Sequence, residues 1–255
     1  MRILPYRMLC DARRPPWSMC TGGGTVTARD TSALLVVDMQ NDFLATGGYY
    51  DEKDKRRRAR QGKLSATDID ALARLYVHPP PTCEIRESYQ DFVRTVTEVA
   101  ATALRTGMTT VFVQAAYDPA FRYRPPLFLR EPQRQDYGCH RGSWGADFVE
   151  PIKQLIVQTH AKVVEKPTFD AFFATGLHGF LRGRQIETLY VTGIETNVCV
   201  LFTACSALSH GFDTVILAEC VTTSQPDVHE AALQIIEIAK GRRMSTQDFL
   251  TLLER

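Results

Sequence analysis

Cys199 has the setting of a reactive thiol, because it lies where a predicted strand meets a predicted helix. The stretch from Gln185 to Val200 alternates β-branched and aromatic residues as far as Gly193, and a helix then begins with Thr196 as a possible N-cap. At such a junction, backbone N–H groups and the helix dipole lower the pKa of a thiol and can stabilise an oxyanion. Cys199 is therefore a candidate nucleophile, although a cysteine among apolar residues is commonly a packing residue.

Two charged residues end other predicted strands. Asp38 closes the apolar run that begins at Ser32, and Lys166 closes a shorter run that begins at Lys162. In a parallel α/β sheet the carboxyl ends of the strands share one crevice, so an acid, a lysine and a thiol at three such ends can converge. That combination suits acyl transfer with a thiol nucleophile. Taken singly, Asp38 could be a strand-end cap and Lys166 a solvated surface lysine.

The order of elements along the chain predicts one α/β domain. Strands and helices alternate with short connections, which is typical of a parallel sheet covered by helices on both faces. Predicted strands cover residues 32–38, 109–114, 162–166, 186–192, 214–218 and 243–244. Predicted helices cover residues 67–76, 88–105, 146–155, 175–182, 196–210, 226–240 and 245–253.

Three blocks of the sequence resemble the isochorismatase-like cysteine hydrolase superfamily. They run from Leu35 to Phe43, from Glu165 to Leu177 and from Val191 to Val200, in the superfamily's order and spacing. The resemblance implies a three-layer α/β/α fold with a six-stranded, mostly parallel sheet in the Rossmann-like order 3-2-1-4-5-6. In that order Asp38 and Cys199 lie on neighbouring strands, and the long side chain of Lys166 must reach in from beyond its own strand.

The resemblance also implies a mechanism. Asp38 would take the thiol proton of Cys199, the thiolate would attack an amide carbonyl, and Lys166 would keep Asp38 ionised and stabilise the thiolate. The backbone N–H groups of Glu195 and Cys199 would form the oxyanion hole, because the superfamily carries a cis peptide where this chain joins Ile194 to Glu195. Many relatives have a small residue at the position of Glu195, and the difference is harmless if this side chain points away.

The choice of substrate depends on which branch of the superfamily the sequence matches. Nicotinamidases bind a metal through an Asp-x-His run after the second strand, where this chain reads Gln-Ala-Ala-Tyr-Asp-Pro at 114–119, so neither a metal nor another cofactor is expected. True isochorismatases lack the nucleophilic cysteine. The remaining amidases act on linear ureido or carbamoyl compounds such as ureidoacrylate, N-carbamoylsarcosine and biuret. The predicted substrate contacts are Asn41, Tyr50, Gln114, Trp144, Phe169 and Asp170, of which Asp170 departs from the ureidoacrylate pattern.

Composition limits the partners of the chain. It has 255 residues, a hydrophobic content of 44% and a net charge of +1, which suits one sizeable core and offers no broad field for nucleic acid or an acidic membrane. No apolar run approaches the roughly 18 residues of a membrane span. Seven cysteines without a Cys-x-x-Cys pair predict reduced thiols in a cytoplasm-like compartment. The expected partner is a small amide, and the resemblance implies a homo-oligomer, either a dimer or a tetramer.

Residues 1–30 are predicted to be a flexible extension, and residues 31–255 form the predicted hydrolase domain with an insertion at about 47–87. The extension is basic and rich in glycine, which suits an organelle transit peptide, a disordered tail, or a start placed too early before Met19. The basic run at 53–60 is predicted to be a solvated loop, and the irregular segment 117–145 to roof the crevice. A non-catalytic scaffold that binds a protein through arginine-rich loops is the alternative from another functional class.

Overall fold

Six parallel strands form the centre of the molecule in the computed structural model, which describes residues 29–51, 84–118 and 138–254. They lie in the order β3-β2-β1-β4-β5-β6, and each neighbouring pair is parallel. The predicted fold class and strand order are confirmed. The strands are β1 (Ser32–Val37), β2 (Thr109–Ala115), β3 (Lys162–Lys166), β4 (Thr188–Ile194), β5 (Asp213–Thr222) and β6 (Arg242–Met244).

Helices cover both faces of this sheet. One layer contains α2 (Gln90–Arg105), α3 (Glu150–Thr159) and α7 (Thr246–Leu253), and the other contains α4 (Leu177–Gly183), α5 (Leu201–Ser209) and α6 (Pro226–Ile238). The short helix α1 (Asn41–Leu44) follows β1, and a 3-10 turn (Glu87–Tyr89) leads into α2. None of the helices among the described residues has the length and apolar character that crossing a bilayer requires.

The central strand β1 separates two apolar cores. It is buried along its whole length, with Leu34 and Val36 facing one core and Leu35 and Val37 facing the other, as the two-residue repeat of a strand requires. Helix α2 buries one stripe against the first core, formed by Val93, Val96, Val99, Ala100 and Ala103. Because both faces of the sheet are covered, the carboxyl ends of the strands are the expected place for an active site.

Several predicted boundaries were wrong, and local hydrogen bonds explain them. Helix α3 begins at Glu150 instead of Ala146, because residues 143–147 form turns in which the N–H of Asp147 donates to Ser143 O and because Pro151 favours the first helical turn. Strand β5 continues to Thr222, where it pairs with β4 again after a register shift. The predicted helix over 67–76, the basic run at 53–60 and the extension up to residue 28 lie outside the described residues.

The segment that carries Cys199 also differs from its prediction. The helix predicted over 196–210 is two elements, a π-helical turn (Thr196–Val200) followed by α5. Thr196 is not an N-cap, because Glu195 precedes the turn and Thr196 is its first residue. The hydroxyl of Thr196 lies 3.1 Å from Nδ1 of His229 on α6. Interruptions of this kind in a helix often lie at functional sites.

Candidate active site

Asp38, Lys166 and Cys199 meet at the carboxyl edge of the sheet. Lys166 Nζ lies 2.9 Å from Asp38 Oδ2 and 3.2 Å from Cys199 Sγ, and it also donates to Thr168 O at 3.0 Å. Asp38 and Lys166 have no exposed surface, and Cys199 has 2%. A cation placed between a carboxylate and a thiol in this way stabilises negative charge on either partner.

The path of Lys166 to this point crosses the end of β2. Lys166 ends β3, which pairs with β2, and Asp38 follows β1 on the other side of β2. The residues at the end of β2 are Ala115, which is the register partner of Lys166, and Ala116, whose N–H donates to Lys166 O. Both alanines are buried and small, so the lysine side chain can pass over them toward Asp38.

Asp38 is directed into the site by an unusual backbone conformation. Its φ of 54° lies in the left-handed region, which aspartate tolerates better than most residues, and its N–H donates to Val113 O at 2.9 Å. The strand direction is therefore broken at the residue after Val37. The carboxylate consequently faces the crevice beyond the sheet edge instead of continuing the alternation of β1.

The turn that carries Cys199 is attached to the end of β4 through Glu195. Glu195 O accepts hydrogen bonds from the N–H groups of Val198 and Val200, each at 3.1 Å. The peptide bond between Ile194 and Glu195 is cis, as the resemblance implied. These contacts place the nucleophile candidate one short turn after the cis peptide.

Burial and charge set the protonation of the three groups. Burial raises the pKa of Asp38, and the positive charge of Lys166 offsets this only in part. The lowered thiol pKa expected at a strand-to-helix junction is wrong, because burial and the nearby carboxylate of Asp38 raise the pKa of Cys199, so its resting form is the thiol. Burial alone would lower the pKa of Lys166, but Asp38 and Cys199 together raise it, so the lysine is a cation. The thiol therefore needs a base, and Asp38 lies in the same cluster.

Three of the six residues predicted to contact the substrate make contacts with other residues of the protein. Gln114 Nε2 donates to Ala146 O at 2.7 Å, and Asp170 Oδ1 accepts from the N–H of Phe172 at 2.8 Å. Phe169 is half-buried, and its ring lies 5.9 Å from the ring of Phe202. These contacts give the three residues structural roles, and contact of any of them with a substrate stays a prediction.

The other three predicted contacts lie in or beside the segments after β1. Asn41 Nδ2 donates to the carbonyl of Trp144 at 2.8 Å, whereas Asn41 Oδ1 is buried with no hydrogen-bond partner among the described residues. The half-buried ring of Tyr50 stacks on Phe43 at 4.8 Å. Asn41 Oδ1 is thus an unused acceptor, and buried acceptors are normally paired.

Comparison with known proteins decides the family. A family profile described as the isochorismatase domain matches residues 32–248. The chain belongs to the isochorismatase family. Two proteins named ureidoacrylate amidohydrolase RutB are similar to this isochorismatase-family chain. The one from Pseudomonas savastanoi pv. phaseolicola is 28% identical over 97% of this chain and 90% of its own, and the one from Acinetobacter baylyi is 28% identical over 89% and 85%.

Solved structures show the same fold at lower identity. A cysteine hydrolase from Pseudomonas syringae pv. phaseolicola 1448A has a TM-score of 0.65 at 18% identity, over 90% of this chain and 94% of its own. Nicotinamidase PncA from Bacillus subtilis has a TM-score of 0.64 at 22% identity, over 84% of this chain and 99% of its own. Both support the isochorismatase-like arrangement of strands and helices.

The site of this isochorismatase-family chain contains a tyrosine that sequence reasoning did not single out. Tyr117 is buried just beyond the end of β2, and burial raises its pKa well above the ordinary value, with negative charge on Cys199, Cys139 and Asp38 acting in the same direction. Burial and the same two cysteines also raise the pKa of Tyr50. The available signal was position, because Tyr117 follows the end of β2 much as Asp38 follows β1.

Asp42 was also missed, and it joins three segments around the site. Its carboxylate accepts from the N–H groups of Tyr49, at 2.9 Å, and Cys139, and burial raises its pKa. Gly145 packs so closely on this carboxylate that an added Cβ would lie 2.2 Å from Oδ2. A side chain at position 145 would displace the Asp42 carboxylate from its N–H donors at Tyr49 and Cys139, which gives the turn containing Trp144 a structural reason for its glycine.

Metal ligands were not predicted for this chain. Within 29–51, 84–118 and 138–254, no group of three or more histidine, cysteine, aspartate or glutamate side chains is arranged to hold a metal ion.

Proposed function

We propose that the chain is a cysteine-dependent amidohydrolase that cleaves a C–N bond in a small linear ureido or carbamoyl amide, with a ureidoacrylate-like compound as the first candidate. The observation that carries this proposal is the position of Lys166 Nζ between Asp38 Oδ2 and Cys199 Sγ, with all three side chains buried. The RutB relatives, which are named for an amide substrate of this kind, support the choice of compound.

The first half of the reaction forms a thioester. Asp38 accepts the proton of the Cys199 thiol, and the thiolate attacks the amide carbonyl carbon. The negative charge that develops on the carbonyl oxygen is stabilised by the backbone N–H groups of Glu195 and Cys199. Asp38 then returns the proton to the nitrogen as the C–N bond breaks, so the amine leaves neutral. Lys166 stays charged throughout and stabilises the thiolate and the Asp38 carboxylate in turn.

The second half hydrolyses the thioester. Asp38 is ionised again after the amine leaves, and it removes a proton from an entering water molecule. The hydroxide attacks the acyl carbon, the C–S bond breaks, and the proton on Asp38 passes to the Cys199 sulfur. The raised pKa of Asp38 suits both steps, because a carboxylate with a higher pKa is a stronger base.

Asn41 supports a ureido compound in particular. Its side-chain oxygen is buried and has no hydrogen-bond partner among the described residues, while its amide nitrogen is held by the Trp144 carbonyl. A ureido group carries several N–H donors and can satisfy such an acceptor. We therefore infer that Asn41 binds the ureido nitrogen and orients the carbonyl carbon toward Cys199.

Ammonia release from ureidoacrylate, N-carbamoylsarcosine, biuret and nicotinamide tests the proposal. We expect the native chain to hydrolyse one ureido or carbamoyl compound and Cys199→Ala to release none. Cys205→Ala is the matched control, because Cys205 is a half-buried cysteine on α5 outside the triad. Activity on nicotinamide alone would place the chain with another amidase of the family, and hydrolysis that persists in Cys199→Ala would refute the mechanism.

A further inference from the structure

The side chain of Glu195 is held inside the protein by a set of hydrogen bonds. Glu195 is 6% exposed, and its Oε2 accepts from Thr223 Oγ1 at 2.6 Å, Ser224 N at 2.7 Å and Ser224 Oγ at 3.1 Å. Both donor residues belong to the loop between β5 and α6. Three donors on one oxygen show that this carboxylate is held in one position, so the side chain has more than the passive role expected from sequence.

The same network returns to the turn that carries the nucleophile. Thr223 Oγ1 lies 2.6 Å from Glu195 Oε2 and also 2.6 Å from the Asn197 side-chain atom placed as Oδ1, so the hydroxyl faces two acceptors. A hydroxyl has one proton, and a carboxylate can only accept. The second contact is therefore satisfied when Asn197 presents its amide nitrogen to Thr223, an orientation that the hydrogen-bond pattern assigns. The donors then run in one direction, from Asn197 to Thr223 to Glu195.

Both ends of Glu195 are thus attached to the segment around Cys199. The Glu195 carbonyl accepts from the N–H groups of Val198 and Val200, and its carboxylate is linked through Thr223 to Asn197. The loop is fixed as well, because the N–H of Gln225 donates to Thr223 Oγ1 at 3.1 Å. Glu195 is part of this ring of contacts, and Cys199 lies between Val198 and Val200, which are also part of it. The peptide N–H groups of Glu195 and Cys199 are those of the proposed oxyanion hole.

We propose that Glu195, Thr223 and Asn197 form a positioning clamp that fixes the N–H groups of Glu195 and Cys199 where the oxyanion of acyl transfer develops. The inference rests on the proposed function. An oxyanion hole works only when its donors are held about 2.7–3.1 Å from the developing charge, and losing one donor lowers kcat by about 100-fold to 1,000-fold. The clamp residues act through the backbone and do not touch the reacting atoms.

Replacement of Thr223 by valine tests the clamp, because it removes the hydroxyl while keeping the shape. We expect Thr223→Val to lower kcat for amide hydrolysis by roughly 10-fold to 100-fold, less than the loss of a whole donor, with little change in KM. Alkylation of Cys199 by iodoacetamide should keep its native rate, because displacement at that carbon forms no oxyanion. Thr223→Ser should restore kcat, since serine supplies the same hydroxyl.

Thr214→Val is the matched control. Thr214 is a buried threonine near the start of β5, at the opposite end from the site, where its hydroxyl donates to Phe212 O. We expect this variant to keep the native kcat. Should Thr223→Val not fold, Asn197→Ala at a half-buried position is the second variant, with a smaller loss of kcat and the same unchanged alkylation.

Two results would overturn the clamp while the native chain hydrolyses an amide. One is a native kcat in Thr223→Val and Asn197→Ala. The other is an equal loss of hydrolysis and of Cys199 alkylation, which would mean that the contacts only hold the thiol in place. If the native chain hydrolyses none of the amides, the proposed function is contradicted, and with it the premise of the clamp.

Discussion

The location of one proton governs the chemistry of the triad. Burial and the carboxylate of Asp38 raise the pKa of Cys199, so its resting side chain is a thiol, which the proposed reaction must deprotonate. The positive charge of Lys166 would compensate for the thiolate only after the proton has moved. The triad therefore differs from thiolate sites in which the cysteine is already ionised at neutral pH.

The dependence of activity on pH follows from the carboxylate. Burial raises the pKa of Asp38, and only ionised Asp38 can accept the thiol proton. We expect kcat/KM to fall as the pH is lowered, with a midpoint above the ordinary aspartate value of about 3.9. The measurement is kcat/KM for amide hydrolysis as a function of pH, together with the rate of Cys199 alkylation over the same pH range. A rate that stays constant down to a pH of about 4 would exclude Asp38 as the base.

Loss of Lys166 should affect both stability and the pH profile. Lys166→Met leaves the fully buried Asp38 without its counter-charge, which costs about 3–5 kcal/mol in the free energy of unfolding. Loss of the cation also raises the pKa of Asp38 further, so the acid limb of the profile moves to higher pH. Urea denaturation and the pH profile measure the two effects.

A surface pair provides the control for Lys166. Lys153 lies 2.8 Å from Asp147, and both side chains are 46% exposed, so Lys153→Met should cost less than about 1 kcal/mol. The double variant Asp38→Asn with Lys166→Met should lose less stability than the sum of its single changes, because it leaves no unpaired buried charge. Additive losses would show that the two groups do not interact.

At the scale of elements, the close approach of β4 to β1 is what places Cys199 beside Asp38. Gly193 has a φ of +117°, and a Cβ on it would lie 1.9 Å from Val37 O. Gly193→Ala should therefore destabilise the protein by at least about 1–3 kcal/mol through overpacking. The measurement is the urea midpoint, together with the rate of Cys199 alkylation.

Gly179→Ala is the matched change for Gly193→Ala. Gly179 lies within α4, and an added Cβ would meet nothing within 4 Å. This variant should be neutral or more stable by up to about 1 kcal/mol, because alanine favours the helix over glycine. An equal loss in both glycine variants would mean that the contact between Gly193 and Val37 has no special role.

The sequence predicted most strands and helices correctly, but it did not predict how a strand connects to the helix that follows it. Apolar periodicity located six strands and α2, because their buried faces repeat with the period of the element. The positions of Asp38, Lys166 and Cys199 at strand ends indicated that they can meet, but the strand order came from resemblance, since no local pattern states which strands are neighbours. The π-helical turn was missed, because its form depends on the hydrogen bonds of Glu195 O with later N–H groups.

Long-range contacts explain what else could not be predicted. Asp42 binds a backbone N–H group almost one hundred residues later, at Cys139, and the Glu195 carboxylate binds Thr223 and Ser224 in another loop. Such partners are chosen by the assembled sheet and leave no repeat in the sequence. A polar residue within two positions after a strand is the one local hint, and it applies to Asp38 and to Tyr117.

At the scale of the whole molecule, the layer of α5 and α6 leaves apolar side chains exposed. Val228, Ile235 and Ile238 lie on α6 with exposures of 39%, 48% and 78%, and Phe202 on α5 has 53%. We expect this face to contribute to the homo-oligomer that the family resemblance implies, because burying apolar area stabilises association. Light scattering should give a dimer or tetramer mass, and Ile235→Glu with Ile238→Glu should lower it. A monomeric native chain would contradict this expectation.

The enclosure of Cys199 determines which molecule can complete a reaction on it. Only 2% of the Cys199 surface is exposed, so an acyl group attached to its sulfur would be shielded from bulk solvent. Such a group would react only with nucleophiles small enough to enter after the amine has left. Hydroxylamine is almost as small as water and attacks thioesters faster. For the proposed ureido or carbamoyl substrate, we expect excess hydroxylamine to take the carbamoyl group from the Cys199 sulfur as the C–S bond breaks, so the product recovered is an N-hydroxyurea instead of a carbamate.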